Sequence, residues 1–325
     1  MKRILSLIAG AVLGGSALMP ALAADVYPSK PIRVVVGYSA GGPTDVIARV
    51  LAQDMSQTLG QSVIVENKAG ASSMIATREV KAAQPDGYTL LFSSLGLTVN
   101  PILFGDKAGF NFKTDFTPIS NAAALPMVAV NAYESPAKTV ADVVAKAKAN
   151  PGSVSFGSSG TGGSGHLAGE LLATQGKVKM LHVPFKGNGP ALLEVIAGRV
   201  DFMLYPIIGI GDQVAAKRVK ILAVGTKNRL PQFADAPTMS EVGFPGFEET
   251  APWVGMLAPA KTPPEVVNKV RDAMVKALAK PEVKAQLEKL GAIVIGDTPA
   301  QFAAYLQRDY DRWDAVIKAA AIKME

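Results

Sequence analysis

The residues best placed to do chemistry lie at the centre of the chain, in Gly157-Ser-Ser-Gly-Thr-Gly-Gly-Ser-Gly-His166. Val154-Ser-Phe before them reads as a short strand, and Leu167 to Thr174 after them reads as a helix. A loop with so little bulk exposes backbone N–H groups, and the helix that follows adds its positive dipole end. That arrangement can hold an anion without a charged side chain. The competing reading is a flexible connector. The loop also contains Gly160-Thr-Gly-Gly-Ser-Gly165, a G-x-G-x-x-G dinucleotide fingerprint. That use requires an acidic residue at the end of the next strand for the ribose hydroxyl. Here the strand from Lys179 to Phe185 ends in Lys186, so a small carboxylate fits better than a pyrophosphate.

Other reactive groups are scarce. The chain has two histidines, His166 and His182, and no cysteine, and their spacing matches no metal motif. There is no G-x-S-x-G nucleophile elbow and no phosphate loop ending in Gly-Lys-Ser or Gly-Lys-Thr. A chain poor in catalytic groups and rich in Gly, Ser and Thr loops favours binding over catalysis. No metal or cofactor is expected. An exported hydrolase, or an oxidoreductase using the loop at 157–165, is the alternative.

Positioning such a loop takes strands and helices in alternation. Ile32 to Tyr38 reads as a buried strand, followed by a Gly-Gly turn and a helix from Thr44 to Leu59 with Ile47, Val50, Leu51 and Met55 on one face. Asp45 suits the first turn of that helix as a cap. Ser62 to Val65 and Tyr88 to Phe92 read as further strands, with a helix over 72–83 between them and Ser93-Ser94 at the strand end. Residues 100–126 have loop character. A second βα run follows, with strands at 127–130, 179–185, 200–204 and 220–225 and helices at 190–197 and 211–217. Thr139 opens a helix with a capping-box spacing; Thr238, Thr262 and Thr298 begin similar patterns. Trp253 to Leu257 is a strand. Val266, Val267, Val270, Met274 and Leu278 stripe one helix, and Phe302, Leu306, Trp313 and Ile317 stripe the last. The fold is therefore α/β. The tail is too small for a domain of its own, so it returns to the first one. The expected organisation is one lobe of residues 24–125 and 250–325, and a second of residues 126–249.

Lys2 and Arg3, an apolar run from Ile4 to Leu18 and an A-x-A site at Ala21 and Ala23 read as a secretory signal peptide over residues 1–23. An exported protein without cysteine has no disulfides, so stability must come from a core. The formal net charge of +6 falls to +4 without Lys2 and Arg3 (6 − 2), and no basic run exceeds two residues. Nucleic-acid binding would need a clustered basic stripe. A mildly positive protein does attract small anions.

Several stretches together resemble the periplasmic solute-binding proteins of tripartite tricarboxylate transporters, the TctC or Bug family. They are Tyr38-Ser-Ala-Gly-Gly-Pro-Thr-Asp45, Glu66-Asn-Lys-Ala-Gly70, Pro85 to Leu91, Ser164-Gly-His-Leu-Ala-Gly-Glu-Leu171, Val183-Pro-Phe-Lys-Gly187, Ala236 to Phe247 and Pro252 to Pro259. The resemblance implies a two-lobed, Venus-flytrap fold of the type II periplasmic class, each lobe a mixed sheet flanked by helices. It implies a monomer holding a small carboxylate between the lobes through amides, hydroxyls and bridging waters, and partnered by an integral membrane permease or a sensor. The implied ligand-binding residues are Tyr38, Ala40, Gly41, Gly42, Ser94, Ser159, Thr161, Gly163, Ser164, Lys186, Gly187 and Tyr205. Two positions depart from the family pattern: Tyr38 stands where Phe is common, and Tyr205-Pro206 where an acidic residue is common. A tyrosine ring at 205 suits an aromatic or less polar acid.

Overall fold

The computed structural model describes residues 27–319; the signal-peptide segment lies outside the described residues. In chain order the first elements are β1 (Ile32–Val36), α1 (Pro43–Leu59), β2 (Val63–Asn67), α2 (Met74–Lys81), β3 (Thr89–Ser94), α3 (Gly96–Phe104) and β4 (Phe116–Ala124). Then come β5 (Met127–Ala132), α4 (Val140–Ala149), β6 (Ser155–Ser158), α5 (Ser164–Gly176), β7 (Leu181–Pro184), α6 (Asn188–Ile196), β8 (Phe202–Pro206), α7 (Ile210–Ala215) and β9 (Val219–Gly225). The last are β10 (Trp253–Pro259), α8 (Pro264–Ala279), α9 (Pro281–Lys289), β11 (Ile293–Val294) and α10 (Pro299–Ala319).

The strands form two sheets, ordered β11-β4-β10-β3-β1-β2 and β7-β6-β8-β5-β9. Both have the same plan. In the first, β1 lies between β2 and β3, all parallel, and β10 runs antiparallel beside β3. In the second, β6 lies between β7 and β8, all parallel, and β5 runs antiparallel beside β8. The chain passes to the second sheet between β4 and β5 and returns between β9 and β10. Each glycine loop leaves the C-terminal end of β1 or β6, where neighbouring connections diverge to opposite sides. Open α/β sheets gather ligands at that switch point.

Alternation along β1 explains how it is held. Ile32, Val34 and Val36 join Ile47, Leu51 and Met55 of α1 and Val270 and Met274 of α8 in one core. Val35 points the other way, into a core with Leu91, Trp253, Phe302 and Leu306. Each such side chain contributes about 1.5–3 kcal/mol on burial. The helical stripes read from the sequence are buried as expected, including Val266, Leu278, Trp313 and Ile317.

Three readings need correction. Residues 100–126 are not a loop: they hold the end of α3 and all of β4. Pro101 inside α3 and the short polar residues of β4 hide both elements from periodicity. Ser120 and Asn121 are buried in β4 because Asp297 accepts from the Asn121 amide at 2.7 Å and Ser120 Oγ donates to the Asp297 carbonyl at 2.8 Å. Thr262 does not cap α8. Its Oγ donates to the Pro259 carbonyl at 2.8 Å, and Pro263 stands at the N-cap. Thr238 and Glu241 exchange both capping-box bonds, at 2.7 and 3.1 Å, around a turn rather than a helix. The boxes at Thr139 and Thr298 do open α4 and α10.

Candidate functional site

The loop after each switch-point strand meets a neighbouring loop of the other sheet: Ser39 after β1 faces Gly187 between β7 and α6, and Gly160 after β6 faces Ser72 between β2 and α2. Gly187, at the start of α6, is so close to Ser39 that a Cβ on it would lie 2.2 Å from Ser39 Oγ. Ser72 Oγ donates to the Thr161 carbonyl, and a Cβ on Gly160 would lie 2.8 Å from the same hydroxyl. A Cβ on Gly162 would lie 3.2 Å from Asn100 Oδ1, while Asn100 Nδ2 donates to the Ser72 carbonyl at 2.8 Å. Backbone from one sheet therefore touches backbone and hydroxyls from the other, which only glycines at 160, 162 and 187 allow.

Each loop is braced from behind. Asp45 is buried and accepts from the Gly41 amide at 2.8 Å, from Asn67 Nδ2 at 2.9 Å and from Arg49 Nε at 3.0 Å. Burial opposes its ionisation, but these donors, Arg49 first, outweigh burial and hold the carboxyl below the ordinary carboxylate range. Asp45 was expected to cap α1, but Gly42 is the N-cap and Asp45, from the first turn, braces the loop before it.

On the other side, His166 Nδ1 accepts from the Gly162 amide at 3.1 Å, and His182 Nε2 lies 2.6 Å from Ser158 Oγ. The two imidazoles stack 4.0 Å apart, with Phe156 stacked on both. Burial pushes the pKa of His166 down to about 4 and that of His182 down to about 3, the latter helped by its neighbour. Two neutral rings thus form the floor under the glycine loop. His182 is the packed strand residue its position implied.

Two cavities flank the contacts. One, of about 420 Å³, is walled by Ser39, Ala40 and Gly41 on one side and by Gly189, Leu192 and Tyr205 on the other. A second, of about 480 Å³, has Ser72 and Phe104 on one wall and Gly160, Thr161 and Lys186 on the other. Of the twelve residues singled out from the sequence, Ala40, Gly41 and Tyr205 line the first cavity, Thr161 and Lys186 the second, and Gly187 the contact between lobes. The other six line neither. The Tyr38 hydroxyl lies among Ser73, Ser94 and Gly96, and burial pushes its pKa up. Gly42 is the N-cap of α1, with its amide donated to the Ser39 carbonyl at 3.2 Å. Ser94, Ser159 and Ser164 are buried, and the Gly163 amide donates to the Gly160 carbonyl at 3.0 Å. The amides of Gly41, Gly42, Gly160, Gly162 and Gly163 are thus engaged within their own loops. They shape the cradle instead of donating across it.

Sequence reasoning missed Ser72, Asn100, Gln213 and Arg218. Ser72 was assigned to a regular helix, but Ala71, Ser72 and Ser73 all have positive φ, and Gly70 precedes them at +134°. The Gly-Ala-Ser-Ser sequence was the available signal. Buried oxygens at this seam have no protein partner: Ser39 Oγ, Asn100 Oδ1 and Asn188 Oδ1, with Gln213 Oε1 beside the first cavity. A buried polar atom without a partner costs about 1–3 kcal/mol, so such atoms mark where water or a ligand belongs.

Comparison with known proteins gives the same reading. Residues 47–322 match the model of the tripartite tricarboxylate transporter family receptor. A protein of Pseudomonas sp. strain P51, described as the UPF0065 protein in the tcbD-tcbE intergenic region, is 38% identical over 317 residues, covering 97% of this chain and 93% of its own. Among solved structures, MatC from Rhodopseudomonas palustris with bound malate is 31% identical with a TM-score of 0.85, over 90% of this chain and 100% of its own. R. palustris Rpa4515 with adipate is 32% identical with a TM-score of 0.87, over 91% and 99%. The matched family is one of transporter receptors and not of enzymes, and the solved relatives share the two-lobed fold. The chain belongs to the tripartite tricarboxylate transporter family receptors, the TctC or Bug solute-binding proteins.

Proposed function

We propose that this protein captures a small organic acid in the periplasm by closing its two lobes, residues 24–125 with 250–325 and residues 126–249, over it. The observation that carries the reading is the set of unpartnered buried oxygens, Ser39 Oγ, Asn100 Oδ1 and Asn188 Oδ1, where loops from the two sheets meet. The two asparagine oxygens are acceptors and need donors that a carboxylate lacks. Bridging waters therefore share the site with the ligand, while Ser39 and Thr161 hydroxyls and helix N-termini face the negative charge. The carboxylates bound by the two solved relatives, malate and adipate, support the same class of ligand.

Closure over the ligand is stabilised by contacts that exist only in the closed form. Residues 1–23 act as the export signal. Among the described residues no helix is long and apolar enough to cross a membrane. Passage of the solute across the inner membrane then needs an integral permease, or the receptor reports the ligand to a sensor. The receptor works as a monomer and does not bind nucleic acid. Isothermal titration against mono-, di- and tricarboxylates and acidic amino acids tests the central claim. At least one acid binds with micromolar affinity; if none binds below about millimolar, the reading fails. Ligand-dependent uptake that persists after deletion of every tripartite permease would refute the permease partnership.

A further inference from the structure

The last helix serves both lobes. Phe302, Leu306, Trp313 and Ile317 fall on one face of α10. The first two join Val35, Leu91 and Trp253 in a core of the first sheet. Trp313 and Ile317, further along, join Leu95 and Val99 from the start of α3 and Leu167 of α5 in a separate apolar cluster. α5 belongs to the second sheet, where its Ala168 and Leu172 pack with Phe156 and Phe202. Leu167 is fully buried too, but among helices of the first sheet. The cluster continues the contact made by the glycine loop: a Cβ on Gly162 would lie 2.8 Å from Leu103 Cδ1 and 3.5 Å from Val99 Cγ1. The Leu167 amide donates to the Gly163 carbonyl at 3.0 Å, which ties the side chain to that loop. On the other side, Arg312 pairs with Asp309 at 2.6 Å and, at 3.0 Å, with Glu249 on the return from β9 to β10. Trp313 is only 3% exposed, and its indole Nε1 has no hydrogen-bond partner.

We infer that Leu95, Val99, Leu167, Trp313 and Ile317 form a closure latch, an apolar seam that shuts when the lobes close and takes up water when they part. Residues that never touch the ligand thereby set its affinity. The inference rests on the proposal that the lobes close over a small acid, and it locates where the closed form gains its stability. The amides of the glycine loops are spent within their own lobes, so they add little attraction between the lobes. An apolar seam needs no donors, because each side chain gains by leaving water. Its place matters as well. Leu167 stands one turn beyond Gly163, so lodging it against α3 and α10 also seats the glycine loop. Leu167 is therefore a positioning residue for the site. The indole N–H of Trp313 works in the opposite sense: it is unpaired while buried and regains water on opening. The seam favours closure without locking it, and a ligand that touches both lobes tips the balance.

The test follows tryptophan emission and one leucine in the purified full chain. Trp253 is buried in the core of the first sheet and donates to Asp309 at 3.1 Å, so quenching that is lost in Trp313→Phe belongs to Trp313. In the ligand-free chain acrylamide quenches Trp313. The best-binding acid of the carboxylate panel protects it and shifts its emission to the blue, and Trp313→Phe abolishes both changes. Leu167→Ala weakens that acid about tenfold, because the closed form loses one buried leucine. The same variant moves the ligand-free melting temperature by less than about 2 °C, since its side chain is already in water when the lobes are open. Leu172→Ala is the control: it faces its own core, lowers the ligand-free melting temperature by about 5 °C or more and leaves affinity within about threefold. Trp313 shielded from acrylamide in the ligand-free chain would make the seam a permanent part of the fold and overturn the latch. So would a Leu167→Ala variant that behaves like the control. Either result leaves the carboxylate reading standing. Binding by none of the acids, with Trp313 open to the quencher, would overturn the carboxylate reading and still show a seam that opens.

Discussion

Gly187→Ala should separate ligand affinity from fold stability. Gly187 has φ of +144° and ψ of 167°, a region that costs a residue with a Cβ about 1–3 kcal/mol. The added carbon would sit 2.2 Å from Ser39 Oγ, 2.8 Å from Ser39 Cβ and 3.1 Å from Ser39 N. Carbon contacts normally begin near ~3.5 Å, so the loops must part by more than about 1 Å. Since Ser39 and Gly187 belong to different sheets, the clash exists only while the lobes are closed. Opening relieves it and leaves each lobe's core intact. Taking strain and lost contact together as about 2–4 kcal/mol, affinity for the best-binding acid falls about a hundredfold. The thermal midpoint falls by only a few degrees, reflecting about 1 kcal/mol of residual backbone strain. Titration calorimetry gives the affinity, and small-angle scattering with ligand shows a larger radius of gyration than the parent. Gly198→Ala is the control: φ is +70° but nothing lies within 4 Å of the added carbon, so it costs stability without affinity. If Gly187→Ala binds within about threefold of the parent at the same closed dimensions, the contact is not the closure point.

Thr161→Val keeps shape and removes a hydroxyl, and it should weaken binding about tenfold. Lys186→Met should cost less; if it abolishes binding while Thr161→Val is silent, Lys186 is the counter-ion and the uncharged cradle is wrong. Asp309 is buried and accepts from Thr98 Oγ at 2.7 Å, Trp253 Nε1 at 3.1 Å and Arg312 Nη2 at 2.6 Å, joining α10 to α3 and β10. Asp309→Ala should lower unfolding free energy by about 3 kcal/mol in urea denaturation, and a loss below about 1 kcal/mol would refute that role. The histidine floor sets a pH dependence. An unfolded imidazole titrates near ~6.5, against about 4 for His166 and about 3 for His182 when folded, so the unfolded chain binds more protons in between. Stability from this pair is full above about pH 6.5 and declines as pH falls toward 4. The H166Q/H182Q variant should show a flatter melting temperature from pH 7 to 5, and a decline parallel to the parent would refute the assignment.

The sequence revealed whatever rested on a local pattern. β1 and β6 were legible because β-branched or aromatic residues run straight into glycine loops, and α8 and α10 because their stripes repeat at helical spacing. The family resemblance then supplied the two-lobed arrangement. β4 was not legible: its Ser120 and Asn121 are buried only because Asp297, distant in sequence, supplies their partners. The same limit applies at the site. Gly41 and Gly163 were recognised as loop formers, but their amides were expected to face an anion, and three-dimensional partners such as the Asp45 carboxylate take the Gly41 amide instead. Arg218 lies beyond α7 in a stretch with no motif, and only the fold carries it to the cavity beside Gly41.

The internal satisfaction of those loop amides bears on kinetics. Because Asp45, Ser158 and His166 fix the loops from within each lobe, each half-site holds its shape before a ligand arrives. Capture then requires little rearrangement beyond rotation of the lobes, so association rates of different acids should differ little. Residence time is set instead by how long the Ser39–Gly187 and Ser72–Thr161 contacts persist, and discrimination among acids should appear in dissociation rates.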